Sequence, residues 1–323
     1  MKRIIITGAN GFIGSNLYRS LRKRFAVIAL VRKESDISLL PPDSNIIRVD
    51  YSDYESLRSI ISTGNCLIHC AALTRAKNWE TMKRVNLDLT EKIVEIINQA
   101  EKVEQFVFIS SQAAAGMSTN LTPKTENERM NPITNYGKSK KYSEILIKKR
   151  IKVPYTIIRP ASVFGEGDKD FLSLFKLINR GFSIIIGLKD HYFSLIYIND
   201  LINIISKSIL NDRVYNTTFF ASNDLILTYD DFYKLIAKIM QINTKKIKIP
   251  SVMVHIVAFF NEILSKYSAR VPLLNLQKAK ELTGRFWLCS NLRSKKLLNY
   301  EYDNNINKNI KNTLDWYKEN KWL

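Results

Sequence analysis

The chain has 323 residues, 46% of them hydrophobic, so it is long and apolar enough to build a substantial core and is not a disordered protein. Its 49 lysines and arginines against 30 acidic residues give a formal charge of +19, which suits a polyanionic partner. The basic residues are spread along the chain without a nucleic-acid-binding motif, so we expect no nucleic-acid partner. Three cysteines are too few for a disulfide framework, and we expect a cytoplasmic protein.

The first half of the chain alternates short β-branched runs with stretches of helical period. It starts on the strand-like KRIIIT, so we expect no signal peptide. The predicted strands are 3–7, 26–31, 45–49, 66–70, 105–110 and 155–159. The predicted helices lie near 12–24, 53–62, 80–100 and 135–150. Near-continuous apolar strands with helices between them indicate an α/β fold with a doubly wound parallel sheet of the Rossmann type.

In the second half the spacing of hydrophobic residues is less regular, and the sequence there predicts a mainly helical region. The predicted helices lie near 171–180, 199–210, 229–241, 251–265, 275–283 and 304–319. We therefore expect a Rossmann domain over 1–165, joined by later strands from the second half, and a smaller substrate lobe over 166–323. The apolar stretch VMVHIVAFFNEIL at 252–264 is about half as long as a bilayer span. We predict a buried helix there, and contact with a membrane interface is the alternative.

A glycine motif, ITGANGFIGSNL, follows the first strand and opens the first helix. In such a context Gly8 allows a sharp turn, Gly11 lets the backbone approach a pyrophosphate, and Gly14 lets the helix lie close to the sheet. The N–H groups at the helix start, including those of Phe12 and Ile13, then face the phosphates. The motif predicts a dinucleotide cofactor.

The end of the second strand bears on which dinucleotide is bound. An acidic residue there would accept both ribose hydroxyls of NAD, whereas this chain has Arg32. A guanidinium can pair with a 2′-phosphate, so NADP is the preferred cofactor. NAD is the alternative, because Glu34 and Asp36 lie close by in the sequence.

The spacing G-x-x-G-x-x-G after Thr7 resembles the opening of the extended short-chain dehydrogenase/reductases of the NAD-dependent epimerase/dehydratase type. The resemblance continues in order through FVFISSQAAAG, NYGKSK and IIRPASVFGEGD and covers nearly the whole chain. It implies further cofactor contacts at the ends of later strands and in the helix after the fourth strand, namely at Asp50, Tyr51, Ala71, Ala72, Asn86 and Pro160. For Asn86 a helix-packing role is the alternative.

Three residues form the catalytic set that the resemblance implies. Tyr136 and Lys140 are four apart and therefore share one face of a helix, and Ser111 matches the serine of the family's S-S-x-x-x-x-G stretch. Hydride transfer at a carbinol carbon needs a proton to move on or off the oxygen, which a tyrosine can do if its pKa is lowered. We expect Lys140 to lower the pKa of Tyr136 and to contact the nicotinamide ribose, and Ser111 to hydrogen-bond the reacting oxygen.

Two departures from the family pattern reduce the number of reactions that the chain is expected to catalyse. Family dehydratases carry an Asp-Glu pair after the catalytic serine or threonine, whereas this chain has Gln112 and Ala113, which disfavours dehydration. Ala115 replaces the usual aromatic residue, so strict galacto/gluco-epimerase specificity is not expected. The prediction is an NAD(P)-dependent oxidoreductase or epimerase that acts on a carbinol or carbonyl carbon of a nucleotide-activated sugar. The alternatives are an NADPH-dependent reductase of a non-sugar carbonyl, like the dihydroflavonol reductases or hydroxysteroid dehydrogenases, and a non-catalytic cofactor-binding scaffold.

The sequence also bears on the substrate, the oligomeric state and metal binding. Arg270, Arg285 and Arg293 are candidates for the diphosphate of a nucleotide sugar. A homodimer is expected, because family members commonly pair through the helices near 80–100 and 135–150. The three histidines are far apart in sequence and predict no metal site.

Overall fold

The computed structural model describes residues 1–265, 272 and 274–323, and the first half alternates strands and helices. Its elements in chain order are β1 (Arg3–Thr7), α1 (Phe12–Leu21), β2 (Ala26–Arg32), β3 (Ile46–Val49), α2 (Tyr54–Ile61), β4 (Cys66–His69), α3 (Trp79–Met82), a π-helical segment (Lys83–Asp88), α4 (Leu89–Gln99), β5 (Gln105–Ile109), α5 (Gln112–Ala115), α6 (Asn135–Arg150) and β6 (Tyr155–Pro160). The predicted strands are all present, each within one residue at either end.

Helices dominate the second half, as predicted, with short strands among them. Its elements are β7 (Ser162–Phe164), α7 (Leu172–Asn179), β8 (Phe182–Ile186), β9 (Tyr192–Tyr197), α8 (Ile198–Ser208), a 3-10 turn (Asp212–Val214), β10 (Thr217–Ala221), β11 (Ile226–Thr228), α9 (Tyr229–Met240), β12 (Lys245–Ile249), α10 (Ser251–Ser265), α11 (Leu276–Leu282), β13 (Phe286–Trp287), α12 (Leu292–Leu298) and α13 (Ile306–Glu319).

The main sheet formed by the described residues has seven parallel strands in the order β10-β6-β5-β4-β1-β2-β3. In β1, Ile5 lies opposite Ile28 of β2 on one side and Leu67 of β4 on the other. The strand order reverses between β1 and β4, and in such sheets ligands bind outside the carboxyl ends of the strands at that point. The predicted doubly wound α/β fold is confirmed, and it opens a crevice beyond Thr7 and His69.

Successive side chains of β1 point to opposite faces of the sheet and pack into two core layers. Ile4 and Ile6 pack in the layer that holds α1 and α8, whereas Ile5 packs in the layer that holds α2, α4 and α6. Because both faces of the sheet are covered by helices, the strand is an unbroken apolar run.

Strand β10 reaches the sheet from the second half and pairs with β6, so residues beyond 165 complete the Rossmann sheet. The sequence predicts that strands of the second half join this sheet but not their positions; β10 is five residues long and follows Asn216, whose φ is +55°. Two smaller sheets in the second half, β11-β9-β13 with β7 paired to β9 and β12-β8, were not predicted either.

The predicted continuous helix at 80–100 is interrupted by the π-helical segment between α3 and α4. A π turn takes up one residue more than an α turn, and such turns occur mostly where a side chain is needed in an unusual position. Asn86 lies in this segment, and its buried amide bonds to residues outside the helix. These bonds offset the poorer helical geometry.

Helix α10 forms over the predicted range, but the prediction that it is buried is wrong. Val254 and Ala258 are its buried residues, whereas Phe260 is 58% and Leu264 67% exposed. The stretch is apolar around much of its circumference, but it packs on the molecule through one narrow face. Within the described ranges, no helix is long and apolar enough to cross a bilayer.

Candidate functional site

The glycine loop lies at the crevice, and its glycines are needed for shape. Gly8 has a φ of +66°, and a Cβ there would lie 2.7 Å from the Ala71 Cα atom. A Cβ at Gly14 would lie 2.7 Å from the Ala9 Cα atom and still closer to the Gly8 carbonyl oxygen. Any larger residue would push α1 away from the end of the sheet.

The start of α1 is open toward the crevice. Gly11 is its N-cap, and no side chain caps the first turn of the helix. The first N–H groups of a helix have no intrahelical partner, so those of Phe12 and Ile13 are placed to bind an anion. This uncapped end, together with the closely packed glycines, fits the pyrophosphate of a dinucleotide.

A buried polar network supports the loop from below. The Thr7 Oγ1 atom lies 2.6 Å from His69 Nδ1, and His69 Nε2 lies 3.2 Å from Thr90 Oγ1. Burial lowers the pKa of His69 to about 3, so the imidazole is neutral and has a structural role. The Tyr51 hydroxyl donates to the Leu30 carbonyl at 3.1 Å and accepts from the Gly8 N–H at 3.4 Å. Tyr51 therefore also supports the loop.

A surface cavity of about 460 Å³ lies beyond β2 and β3, where the sequence predicts the adenosine end of the cofactor, and it is named here the adenosine cavity. Arg32 on its wall is exposed. Asp50 accepts hydrogen bonds from the Ser52 hydroxyl and N–H, and these bonds lower the pKa of its carboxyl group. The adenosine cavity is also lined by Lys33 and Glu34, so it brings together two basic and two acidic residues.

Ser111 and Tyr136 lie side by side beyond β5. Ser111 is the N-cap of α5, where its Oγ accepts from the Ala113 N–H at 3.1 Å, and it lines the same cavity as Tyr136. Tyr136 lies in the first turn of α6, a helix capped by Thr134. Burial raises the pKa of Tyr136 to about 12, and the nearby Ser111 hydroxyl opposes this rise.

Lys140 lies one turn further along α6 and is 2% exposed. Its ammonium donates to the Ile109 carbonyl at 2.8 Å and lies 4.5 Å from the centre of the Phe108 ring. Burial lowers the pKa of Lys140 to about 8. The sequence analysis expected this lysine to lower the pKa of Tyr136, but in this structure burial dominates at both groups.

Asn86 joins two walls of the site. Its amide exchanges hydrogen bonds with the backbone of Leu73, accepting at 2.8 Å and donating at 2.9 Å, and donates to the Ser139 hydroxyl at 2.9 Å. It therefore ties the loop after β4, which contains Ala72, to the helix of Tyr136. These contacts correspond to the helix-packing alternative for Asn86.

Ser110 differs sharply from its neighbour Ser111. The Ser110 hydroxyl donates to Glu144 at 2.5 Å, and Glu144 forms a buried ion pair with Arg159 at 2.7 Å. Ser110 is therefore engaged in a buried network behind the site, whereas Ser111 lines the cavity beside Tyr136.

Two cavities of about 170 Å³ each flank Tyr136 and share Lys278 and Glu281 of α11 as lining. The first is also lined by Ser111, Gln112, Ala113, Pro160, Ala161, Ser162, Tyr229, Leu282 and Trp287. The second extends toward Arg75. Gln112 is 4% exposed, and its Nε2 atom has no hydrogen-bond partner within the described part of the chain.

The lining residues of the second half were missed from the sequence. Tyr229, Lys278, Glu281 and Trp287 belong to no local motif, and packing alone brings them to the cavities. Of the arginines proposed for a diphosphate, Arg293 instead contacts Glu126, Asn127 and the Thr218 carbonyl. Arg285 stacks on Phe286 and lines neither cavity, and Arg270 lies outside the described residues.

The chain is similar to several known proteins. The chain is 28% identical over 240 residues to a UDP-glucose 4-epimerase of Vibrio cholerae, covering 69% of this chain and 71% of the relative. It is 28% identical over 210 residues to a decarboxylating sterol-4-alpha-carboxylate 3-dehydrogenase of Dictyostelium discoideum, covering 61% of this chain and 64% of that protein. The crystal structure of the Thermotoga maritima UDP-glucose 4-epimerase with UDP-glucose shares the fold, with a TM-score of 0.79, 18% identity and 99% of both chains covered.

The sequence pattern of the NAD dependent epimerase/dehydratase family matches residues 4–217, which include the glycine loop, the Ser111–Tyr136 pair and the sheet up to the start of β10. The chain is therefore an NAD-dependent enzyme and a member of the NAD dependent epimerase/dehydratase family.

Proposed function

We propose that the enzyme transfers a hydride between a nicotinamide cofactor and a carbinol or carbonyl carbon of a nucleotide-activated sugar, as an epimerase. The observation that carries the proposal is that Ser111 and Tyr136 line the same cavity, with Lys140 one turn further along α6. Two hydroxyls that can both reach one substrate oxygen suit proton transfer and charge stabilisation at that oxygen.

Each catalytic residue has a distinct role in this proposal. Tyr136 exchanges a proton with the substrate oxygen, and Ser111 donates a hydrogen bond that stabilises negative charge there. Lys140 supplies a buried positive charge, which favours the phenolate form of Tyr136 during the transfer. The nicotinamide ring, when bound, accepts or returns the hydride.

The substrate class rests on the cavities and on the relatives. Lys278 and Arg75 are basic residues on the cavity walls, where they form ion pairs with Glu281 and Asp170, and both could also contact a diphosphate. The unpartnered amide of Gln112 could bond a sugar hydroxyl. UDP-glucose is named in both the Vibrio cholerae relative and the Thermotoga maritima structure. Gln112 and Ala113 lack the acid and base that dehydration needs.

The cofactor is proposed to be NADP rather than NAD. Arg32 is exposed beside the adenosine cavity, where its guanidinium could pair with a 2′-phosphate. A cytoplasmic homodimer is proposed as well. Tyr142 and Ile145 on α6 are 40% and 37% exposed, and they lie on a helix through which family members commonly pair.

The test of the proposed chemistry is Tyr136→Phe, assayed with a panel of UDP-sugars. We expect turnover to fall by roughly a hundredfold or more, because the proton-transfer group is lost. The cofactor dissociation constant should change little. The matched control is Tyr142→Phe, which removes the hydroxyl of an exposed tyrosine on the same helix. Unchanged turnover in Tyr136→Phe would overturn the assignment.

A second candidate, reduction of a non-sugar carbonyl by NADPH, has one observation in its favour. A cavity of about 70 Å³ lined by Leu174, Ile184, Ile185 and Ile186 adjoins the Ser111 cavity, because Tyr229 and Leu282 line both. Such a cavity suits an apolar substrate, and one relative is named for a sterol substrate. Steady oxidation of NADPH with a carbonyl panel would indicate a reductase. Interconversion of UDP-sugars without net oxidation would indicate an epimerase.

A further inference from the structure

Helix α10 presents a wide apolar face to solvent, far larger than its buried face. Its outward residues are all large and between 38% and 67% exposed, namely Val252, Met253, Ile256, Val257, Phe259, Phe260, Ile263 and Leu264. They follow two adjacent stripes along the helix, so the face is continuous. It exposes on the order of 700 Å², whereas the largest apolar patch on a typical monomer is about 300–600 Å².

The helix is attached to the molecule through two small apolar residues and three polar ones. Val254 and Ala258 are buried against Ala279. His255 Nε2 lies 3.2 Å from Thr283 Oγ1, the Asn261 amide donates to the Leu274 carbonyl at 3.1 Å, and the Glu262 carboxylate accepts from the Leu276 N–H at 3.2 Å. A helix on a water-exposed surface normally turns its large apolar residues inward and its polar residues outward. In α10 the large apolar residues face outward, and the polar residues lie on the attached side.

The surroundings of the helix start are predominantly basic, with exposed Lys189, Lys245 and Lys248 against one exposed carboxylate in the neighbouring turn, Asp190. Lys245 and Lys248 are exposed on β12, which leads directly into α10. The Gly187 N–H donates to the Ile249 carbonyl at 2.8 Å, which brings the turn with Leu188 and Lys189 beside the helix start. Leu188 is 88% exposed. An apolar face bordered by lysines combines the two features that attract a protein to anionic lipid.

We propose that α10 and the turn at 187–190 bind the surface of an anionic phospholipid bilayer, with the helix lying in the plane of the interface. The outward phenylalanines and aliphatic residues enter the boundary between headgroups and acyl chains, and the lysines contact lipid phosphates. This inference does not depend on the hydride chemistry proposed above.

The charges favour lipid over a second copy of the chain as the occupant of this face. In a symmetric dimer the same patch faces itself, so Lys245, Lys248 and Lys189 of one copy would meet only residues of that patch. The outward face of α10 offers no acidic side chain with which these lysines could pair, because the Glu262 carboxylate is bound to the Leu276 N–H. An anionic bilayer supplies the opposite charge.

The test is sedimentation of the purified full chain with vesicles of phosphatidylglycerol and phosphatidylcholine, compared with phosphatidylcholine alone. We expect binding to the anionic vesicles and at least tenfold weaker binding for the double variant Phe259→Ser, Phe260→Ser. The matched control is Leu121→Ser, Leu292→Ser, which removes apolar residues that are 52% and 71% exposed elsewhere. It should bind as the parent does. Lys245→Gln, Lys248→Gln should weaken binding to the anionic vesicles selectively.

The molar mass of the lipid-free protein shows whether a second copy of the chain, rather than lipid, covers the outward face of α10. Wild-type protein that fails to bind anionic vesicles would overturn the proposal, as would binding that the phenylalanine variant leaves unchanged. A lipid-free dimer that this variant converts to a monomer, without vesicle binding by either protein, would assign the face to a second copy. Matched thermal melting of all variants would exclude misfolding as the cause of lost binding.

Discussion

Replacing Lys140 by methionine removes an ammonium that the fold buries almost completely. The lysine donates to the Ile109 carbonyl and lies over the Phe108 ring, but these contacts do not replace the hydration that the charge loses. Burial accordingly lowers its pKa from 10.5 to about 8. The wild-type protein must therefore retain a costly charge at neutral pH, which Lys140→Met lacks.

The sign of the pH dependence follows from proton binding. Between the folded pKa of Lys140, about 8, and its unfolded pKa of 10.5, the unfolded chain holds a proton that the folded chain has lost. Stability rises with pH wherever the unfolded state binds more protons. From pH 7 to about 9.5, this one group should add about 2 kcal/mol to the free energy of unfolding of the wild-type protein. The Lys140→Met protein gains nothing from it.

Urea unfolding of both proteins at a series of pH values measures the difference directly. The gap between their free energies of unfolding should narrow by about 2 kcal/mol toward alkaline pH, while other titrations cancel because both proteins share them. Lys149→Met on the exposed end of the same helix is the control, and its curve should run parallel to that of the wild type. Parallel curves for Lys140→Met as well would refute the reasoning, because they would show that burial does not perturb Lys140.

Three further substitutions test other parts of the site. Gly14→Ala places a Cβ against backbone atoms, so we expect a loss of about 1–3 kcal/mol in urea unfolding and weaker cofactor binding in fluorescence titration. Glu144→Gln leaves the buried Arg159 without its ion pair and should cost about 3–5 kcal/mol; a loss below about 1 kcal/mol would contradict the buried pair. Arg32→Asp should reduce or reverse a preference for NADPH over NADH, and equal affinities in the wild type would contradict the proposed role of Arg32.

Local patterns in the first half were sufficient to predict the Rossmann fold. The three glycines of the turn lie within seven residues, and the strand and helix that they join are adjacent in sequence. Tyr136 and Lys140 share a helix, so their spacing alone fixes their relation. Interactions of this kind are visible in a sequence because they depend on neighbours along the chain.

The rest of the site depends on contacts that no local pattern records. Lys278 and Glu281 reach Tyr136 from a helix more than a hundred residues away in sequence, and Trp287 reaches it from a two-residue strand. The pKa of Lys140 likewise depends on how completely β5 and α6 enclose it. Charge and spacing predicted a lysine that lowers the pKa of Tyr136, but burial, which the sequence does not show, acts on both groups.

Helix α10 shows why an apolar sequence does not determine its own burial. A buried helix and an exposed membrane-facing helix both need residues such as Phe259 and Phe260, so composition cannot separate them. The distinguishing information is in the polar residues. In a buried helix His255 and Glu262 would need partners in the core, whereas here they bond to Thr283 and the Leu276 N–H on the side of the helix that Val254 and Ala258 attach to the molecule. The direction of these few hydrogen bonds, rather than the hydrophobicity of the stretch, decides which face of the helix is left outside.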